Sequence, residues 1–563
     1  MGFLVRTFSW PIILGAGWIK NQRLKTSKIF HLVLDDESIE LFDHSKSSVG
    51  FKTIKYLISE PKIQVMSLEI DSLPTGFIAQ EELRNILLRW KSRYGRSIFV
   101  YLRNPSPQGY WLASVGDFIH VSPCQDSFFI PIASRSTFYG RLLDNIGVQA
   151  DIVAAGECKS LGEPYTRSFP SQPNREQIKQ IFKQLQSHLA KEIWNSRKEK
   201  FQSKGIISFE ALQTMIESGM LTASEMKNTG FIDTISYIDQ YEKAISDFTK
   251  SKYRPVNMSI NPLLNIVNWY RDMDISTRVA QVNLSGAIVD QSSGGRRIES
   301  KSCISILKKI RKDNSIKGVL LVIDSPGGSA IASDRIARAI DKLIEKKPVV
   351  AFMRNVAASG GYYIACRCLH ITAQPTTITG SIGVVGGKVV FGKALENLGI
   401  TSELITGGNK ESASLFSTWT PFSKNQRTQM KTLLENTYER FLQVVSGGRK
   451  MPLEQVRKLA EGRVYTGLEA HRIGLVDEIG GIEIAKAQLA RRIGVSRIKT
   501  IEYSMKKKTT IIKRIRQFAS VEMYRSQPNQ IIQIFGFAMP DEVQLIHQYP
   551  YQPLMLMPFR IDQ

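Results

Sequence analysis

Three short stretches of this 563-residue chain hold residue types that could do chemistry together: DSPGGS at Asp324–Ser329, VAASGGYY at Val356–Tyr363 and TGSIG at Thr379–Gly383. A serine hydroxyl becomes a nucleophile when a neighbouring base takes its proton, and backbone N–H groups then hold the charge that develops on the attacked carbonyl. Ser359 is followed by Gly360 and Gly361, so the next amide can turn toward that charge. Gly327 can bring a second N–H to the same point, because glycine lets backbone approach closely. The chemistry implied is acyl transfer, with Ser359 as nucleophile and the Gly327 and Gly360 amides as oxyanion donors; no metal or cofactor is required. A lone Ser-Gly-Gly is an ordinary turn, so the weight rests on three stretches in succession.

The elements around them must bring the stretches to one place. VAQVNLSG reads as a strand, Ser302–Lys312 as a helix, KGVLLVID as a buried strand, Ser333–Ile344 as an amphipathic helix and KPVVAFM as a strand. This order calls for a parallel sheet flanked by helices, with the chemical turns at one end of it. The stretch KNQRTQMKTLLENTYERFLQVVSGG predicts a long helix stopped by its Gly pair, with REQIKQIFKQLQSHLAKEIW as its counterpart in the first half.

That counterpart belongs to an internal repeat. Tyr139–Ser160 aligns without gaps on Phe391–Ser412, an offset of 252 residues. VYLRNPSPQGYWLAS, from Val100, matches AFMRNVAASGGYYIAC, from Ala351, with one inserted residue, and Gly219–Asp233 is similar to Gly462–Asp477. The fold class is therefore α/β, a tandem repeat of two domains, each a mostly parallel sheet flanked by helices. The expected organisation is an N-terminal apolar arm or anchor over 1–29, a first repeat over 30–249, a linker over 250–275, a second repeat over 276–497 and a basic and apolar tail over 498–563.

Together these motifs resemble the Clp/crotonase-like serine peptidases, specifically the long two-repeat form of signal peptide peptidase A, peptidase family S49. The resemblance covers roughly residues 30–497, and the second half is the closer match. It implies a lysine as the general base, and none of the seven histidines, His370 and His471 included, sits in a triad-like motif. Two lysines compete: Lys410, in the same half as Ser359, and Lys159, in the other. In the alignment Lys159 falls opposite Glu411 and Ser359 opposite Pro107, so each repeat keeps one member of a pair and lacks the other. The KSLGEP context of Lys159 also resembles the family's lysine motif. The expected site is built across two docked repeats, with Lys159 as base and Lys410 as the alternative. An unperturbed lysine, with a pKa of about 10.4, is neutral in only roughly one molecule in 2,500 at pH 7. A lysine base therefore implies burial, helped by nearby positive charge. By the same resemblance Ser381 is an accessory serine that orients the lysine; read from its residues alone it is a turn cap.

Composition sets the surroundings. The net charge of +24 would attract phosphate surfaces, and charge alone does not choose between nucleic acid and anionic lipid. Six basic residues cluster from Lys506 to Arg516, either a solvated face or a membrane contact, and MLMPF at Met555–Phe559 is a candidate docking segment. Five cysteines without zinc-like spacing indicate neither a disulfide framework nor a metal site, and Cys366 and Cys368 are expected to be buried. The apolar run Phe8–Ile19 is short for a spanning helix and lacks a signal-cleavage pattern, which fits an uncleaved anchor or interfacial segment. The resemblance further implies peptide substrates such as signal peptides, association with the bacterial cytoplasmic membrane, a homo-oligomer of tetrameric form, and no nucleic acid. Two rival readings share the fold: a crotonase-like acyl-CoA enzyme using the same turns for a thioester, and a catalytically degenerate scaffold.

Overall fold

The structure is a computed structural model that describes residues 28–503 and 554–556, apart from 37–41, 43–50, 52–53, 55–62, 75, 104, 124–126, 130–131, 218, 258–276, 291–296 and 407. The Phe8–Ile19 run, the Lys506–Arg516 cluster and most of the expected linker lie outside the described residues. The chain forms two compact units, one of Met1–Ser134 and Phe182–Ile275, the other of Arg135–Ile181 and Ser276–Asp562.

In the first unit β1 (Ile29–Leu34), β2 (Val65–Ile70), β3 (Ser97–Leu102) and β4 (Phe118–Val121) are parallel neighbours. Val256–Asn257 pairs beyond β1 and Thr234–Ile235 beyond β4. Strand β3 leads into a short helix, α1 (Pro107–Ala113), and a long helix, α2 (Gln172–Ser203), begins in the second unit and ends in the first.

The second unit repeats this order. Its main sheet holds β6 (Arg278–Ser285), β7 (Ile316–Ser325) and β9 (Val349–Ala358), with Lys499–Tyr503 beyond β6 and β10 (His370–Ala373) and β11 (Ile378–Gly380) both on β9. Both faces of β7 are covered, which is why KGVLLVI reads as continuous rather than alternating. On one side lie α3 (Ser300–Lys312) and α4 (Ala330–Ile344), through Leu307, Ile310, Ile336 and Ile340; on the other lies the helix Ile482–Ile493, through Ala485 and Leu489. A second sheet runs in the order Arg297–Glu299, Ala287–Val289, β8 (Gly327–Ser329), β13 (Leu554–Leu556), β12 (Val384–Val390) and β5 (Gln149–Ala155).

The repeat extends to individual hydrogen bonds. Tyr110 donates its hydroxyl to the Phe231 carbonyl, and Tyr362 does the same to Leu475. Arg197 clamps the Gly230 carbonyl and Asp233, while Arg449 clamps the Gly474 carbonyl and Asp477. Asp233 and Asp477 in turn accept from the Ile119 and Ile371 amides. Tyr110/Tyr362, Arg197/Arg449 and Ile119/Ile371 keep the 252-residue offset that also sets Pro107 opposite Ser359, while their partners Phe231/Leu475, Gly230/Gly474 and Asp233/Asp477 are 244 residues apart.

One expectation needs correcting. The long helix α6 (Lys424–Arg449) does not stop at Gly447 and Gly448 but runs through them and ends at Lys450, which takes the left-handed conformation. A Cβ on Gly448 would lie 2.1 Å from the Cys366 carbonyl oxygen, so this glycine serves close helix packing rather than termination. Cys366 and Cys368 are buried free thiols, as their apolar surroundings suggested.

Candidate active site

Strand β9 ends at Ala358, and Ser359 caps α5 (Gly360–Ala365). Ser359 sits at φ 55°, ψ −115°, a strained conformation for a residue with a side chain. Two bonds hold the turn: the Ser359 amide donates to the Gly380 carbonyl at 2.8 Å, and the Tyr363 amide donates to the Ser359 carbonyl at 2.8 Å. Gly360 opens the helix, where the first amides have no partner within the helix itself. A Cβ placed on Gly360 would lie 3.2 Å from Gly327 Cα and 3.3 Å from Gly328 N, so the two glycine turns are in contact. The Gly327 amide donates to Ser325 Oγ at 3.2 Å, a bond it must release to serve an oxyanion.

Lys159 arrives from the other repeat in sequence, yet it lies in the same compact unit as Ser359. The segment that carries it is anchored by β5, which pairs antiparallel with β12 along seven residues. Buried Asp151 on β5 accepts from the Phe422 amide at 2.5 Å and from the Arg427 guanidinium, fixing the strand to the start of α6. The chain leaves β5 at Gly156, and the Cys158 amide donates to the Glu461 carbonyl at 2.8 Å. A Cβ on Gly462 would fall 2.7 Å from the Lys159 amide nitrogen, so only glycine lets this loop close over the lysine.

The Lys159 ammonium nitrogen donates to Ser359 Oγ at 2.8 Å, to Ser381 Oγ at 2.9 Å and to the Ser381 carbonyl at 3.0 Å. All three residues are buried, Lys159 being 3% exposed. Burial holds the Lys159 pKa well below the usual lysine range. Among the described residues burial alone accounts for this, and the positive neighbours anticipated from sequence play no part. Lys410 begins the four-residue helix Lys410–Ala413 and is exposed, away from this buried cluster. His370 pairs with Glu478 at 3.1 Å and His471 contacts the Val476 carbonyl at 3.3 Å, both outside the cluster. Sequence reasoning missed Ser325, Asp151 and Gly462. The first stood in plain view in DSPGGS; the other two act across contacts that no local pattern announces.

The tandem Clp/crotonase-like fold, with a buried serine strained at a strand end, defines a class of serine hydrolase. Comparison with known sequences gives the family: the profile described as Peptidase family S49 matches residues 91–251 and 341–496. The chain belongs to this peptidase family and is a serine peptidase. It is 27% identical over 470 residues to the chloroplastic serine protease SPPA of Arabidopsis thaliana, covering 82% of this chain and 67% of that one. It is 30% identical over 434 residues to Protease 4 of Haemophilus influenzae, covering 76% and 69%. A putative signal peptide peptidase SppA of Enterococcus faecium is 34% identical over 234 residues, covering 40% and 67%.

Proposed function

We propose that this chain is an endopeptidase in which Lys159 activates Ser359, acting on apolar peptides such as remnant signal peptides at or near a membrane surface. The observation that carries this reading is the 2.8 Å bond between the desolvated Lys159 amine and Ser359 Oγ. Lys159 takes the Ser359 proton as Oγ attacks the peptide carbonyl, and the Gly327 and Gly360 amides hold the oxyanion. The protonated lysine then delivers its proton to the leaving amine, releasing the first product and leaving an ester on Ser359. Water, deprotonated by Lys159, hydrolyses that ester and restores the serine. Ser381 orients the amine throughout. The substrate class draws on the name of the Enterococcus faecium relative, and membrane association on the Phe8–Ile19 run and the basic Lys506–Arg516 cluster. No helix among the described residues is long and apolar enough to cross a membrane. A serine-reactive fluorophosphonate should label the purified chain and leave Ser359→Ala unlabelled; labelling that persists in the variant overturns the assignment. A thioester-processing enzyme using only the oxyanion turns would not be labelled.

We also propose a homo-oligomer. Residues 401–406 occupy the repeat position of β5 but pair with no strand among the described residues, and Leu398, Ile400, Leu404 and Ile405 are 60%, 48%, 41% and 85% exposed. The first-repeat counterpart of β12, residues 132–138, is likewise unpaired and largely exposed. The pairing that β5 and β12 make within one chain is therefore open for use between copies, head to tail, and such contacts close into rings. Light scattering of the wild type should give a multiple of 63.5 kDa, and Leu404→Asp/Ile405→Asp should shift it to a single chain; an unchanged mass rejects this interface.

A further inference from the structure

The three-residue strand β13 lies far outside the family match, yet it sits inside the sheet that carries the site. It is antiparallel to β8, with Leu554, Met555 and Leu556 opposite Ser329, Gly328 and Gly327, and antiparallel to β12, with Leu554 opposite Val385. No other described strand joins β8 to β12, so taking β13 away leaves a slot one strand wide with unpaired backbone groups on both edges. One edge of that slot is the Gly327 segment, which touches the Ser359 turn. The other edge begins three residues after Ser381.

The direction of the chain matters. Opposite register to β8 means that residues 554 to 556 run from Ser329 toward Gly327, and so toward the nucleophile. A peptide entering this way presents its carbonyl side to Ser359, as the acyl half of a substrate must. Pro553 and Pro558 bracket the strand. Neither can donate an N–H, and a ladder of three residues is one that a longer peptide can displace. Residues 504–553 join the strand covalently to the rest of the chain, and covalent linkage makes its docking an intramolecular event.

We propose that Leu554–Leu556 is an intramolecular stand-in for substrate, an autoinhibitory strand that an extended apolar peptide must displace to reach Ser359. This rests on the peptidase reading above and names what occupies its groove at rest. The rival occupancy, a permanent structural strand of the sheet, is an outcome of the same test. In the full chain, Met555→Pro removes an amide from the strand, and Leu554→Asp/Leu556→Asp opposes its docking by charge. Both should lower KM for a short apolar reporter peptide with kcat unchanged. The fall should be about tenfold if the slot is open in roughly one resting molecule in ten. The synthetic peptide YQPLMLMPF, added in trans, should compete with the reporter in both variants. In a Ser359→Ala background, Met555→Pro should speed hydrogen exchange at Gly327–Ser329 and Val384–Val390. An unchanged KM, or exchange on these edges unaltered by Met555→Pro, overturns the proposal, as does loss of thermal stability without a fall in KM. The exchange measurement needs no turnover, so failure of the peptidase reading would show separately, as an inactive wild type.

Discussion

Ser359→Ala should lower kcat for peptide hydrolysis by about 10⁴-fold or more, because in the proposed mechanism nucleophile and base act as a unit and removing either forfeits most of their joint effect. The fold should remain. The substitution deletes one hydroxyl that accepts from Lys159, a loss of about 1 kcal/mol, whereas Lys159 keeps both of its bonds to Ser381. Steady-state kinetics on a chromogenic peptide, with a denaturant melt of the same sample, checks both halves. Turnover near the wild-type level would remove Ser359 from the mechanism, and a grossly unfolded variant would make the serine a structural cap.

Lys159→Met and Lys159→Arg should each cost about as much as the serine, for different reasons. Methionine fills the space and carries no base. Arginine carries a charge that is effectively never lost, and so cannot accept the proton. Lys410→Ala should stay within about twofold of wild type, since an exposed lysine outside the cluster has no proton to take. The pH profile follows from the burial of Lys159. In the proposed mechanism its neutral form is the active one, and its folded pKa is depressed, so kcat/KM should rise with pH through that depressed value and level off well below 10.5. The stability consequence has the same origin. At low pH, below the folded pKa, the full cost of burying the ammonium is present. As pH climbs toward the unfolded value the cost fades, because the unfolded chain holds the proton longer. An acid limb that does not move in Lys159→Arg, or a profile still rising at 10.5, would assign the base elsewhere.

Much of this was readable without coordinates because it depends on short-range pattern. Hydrophobic runs fix β7 and β9, and the glycines of DSPGGS and VAASGGYY mark where backbone must crowd. The repeat supplied the register that pairs the Lys159 and Ser359 columns, and the tyrosine and arginine donors of the two clamps recur at that offset. The glycine pair within the last turn of α6 shows the limit of local pattern: a glycine that terminates a helix and one that lets a neighbour approach look alike in sequence, and only the Cys366 carbonyl tells them apart.

The sequence by itself determined the two-repeat α/β fold, the glycine-flanked serine turn, Lys410 as one candidate base and Lys159, in the other repeat, as the favoured one. Only the tertiary structure decided how that lysine arrives. It comes not by the docking of two whole repeats but on a segment, Arg135–Ile181, packed into the second unit by β5 and held there by Asp151. Strand pairing and burial are properties of partners distant along the chain. The same holds for the sheet beside Ser359: the sequence marks Met555–Phe559 as a docking segment, but nothing local says which strands Leu554–Leu556 pairs with.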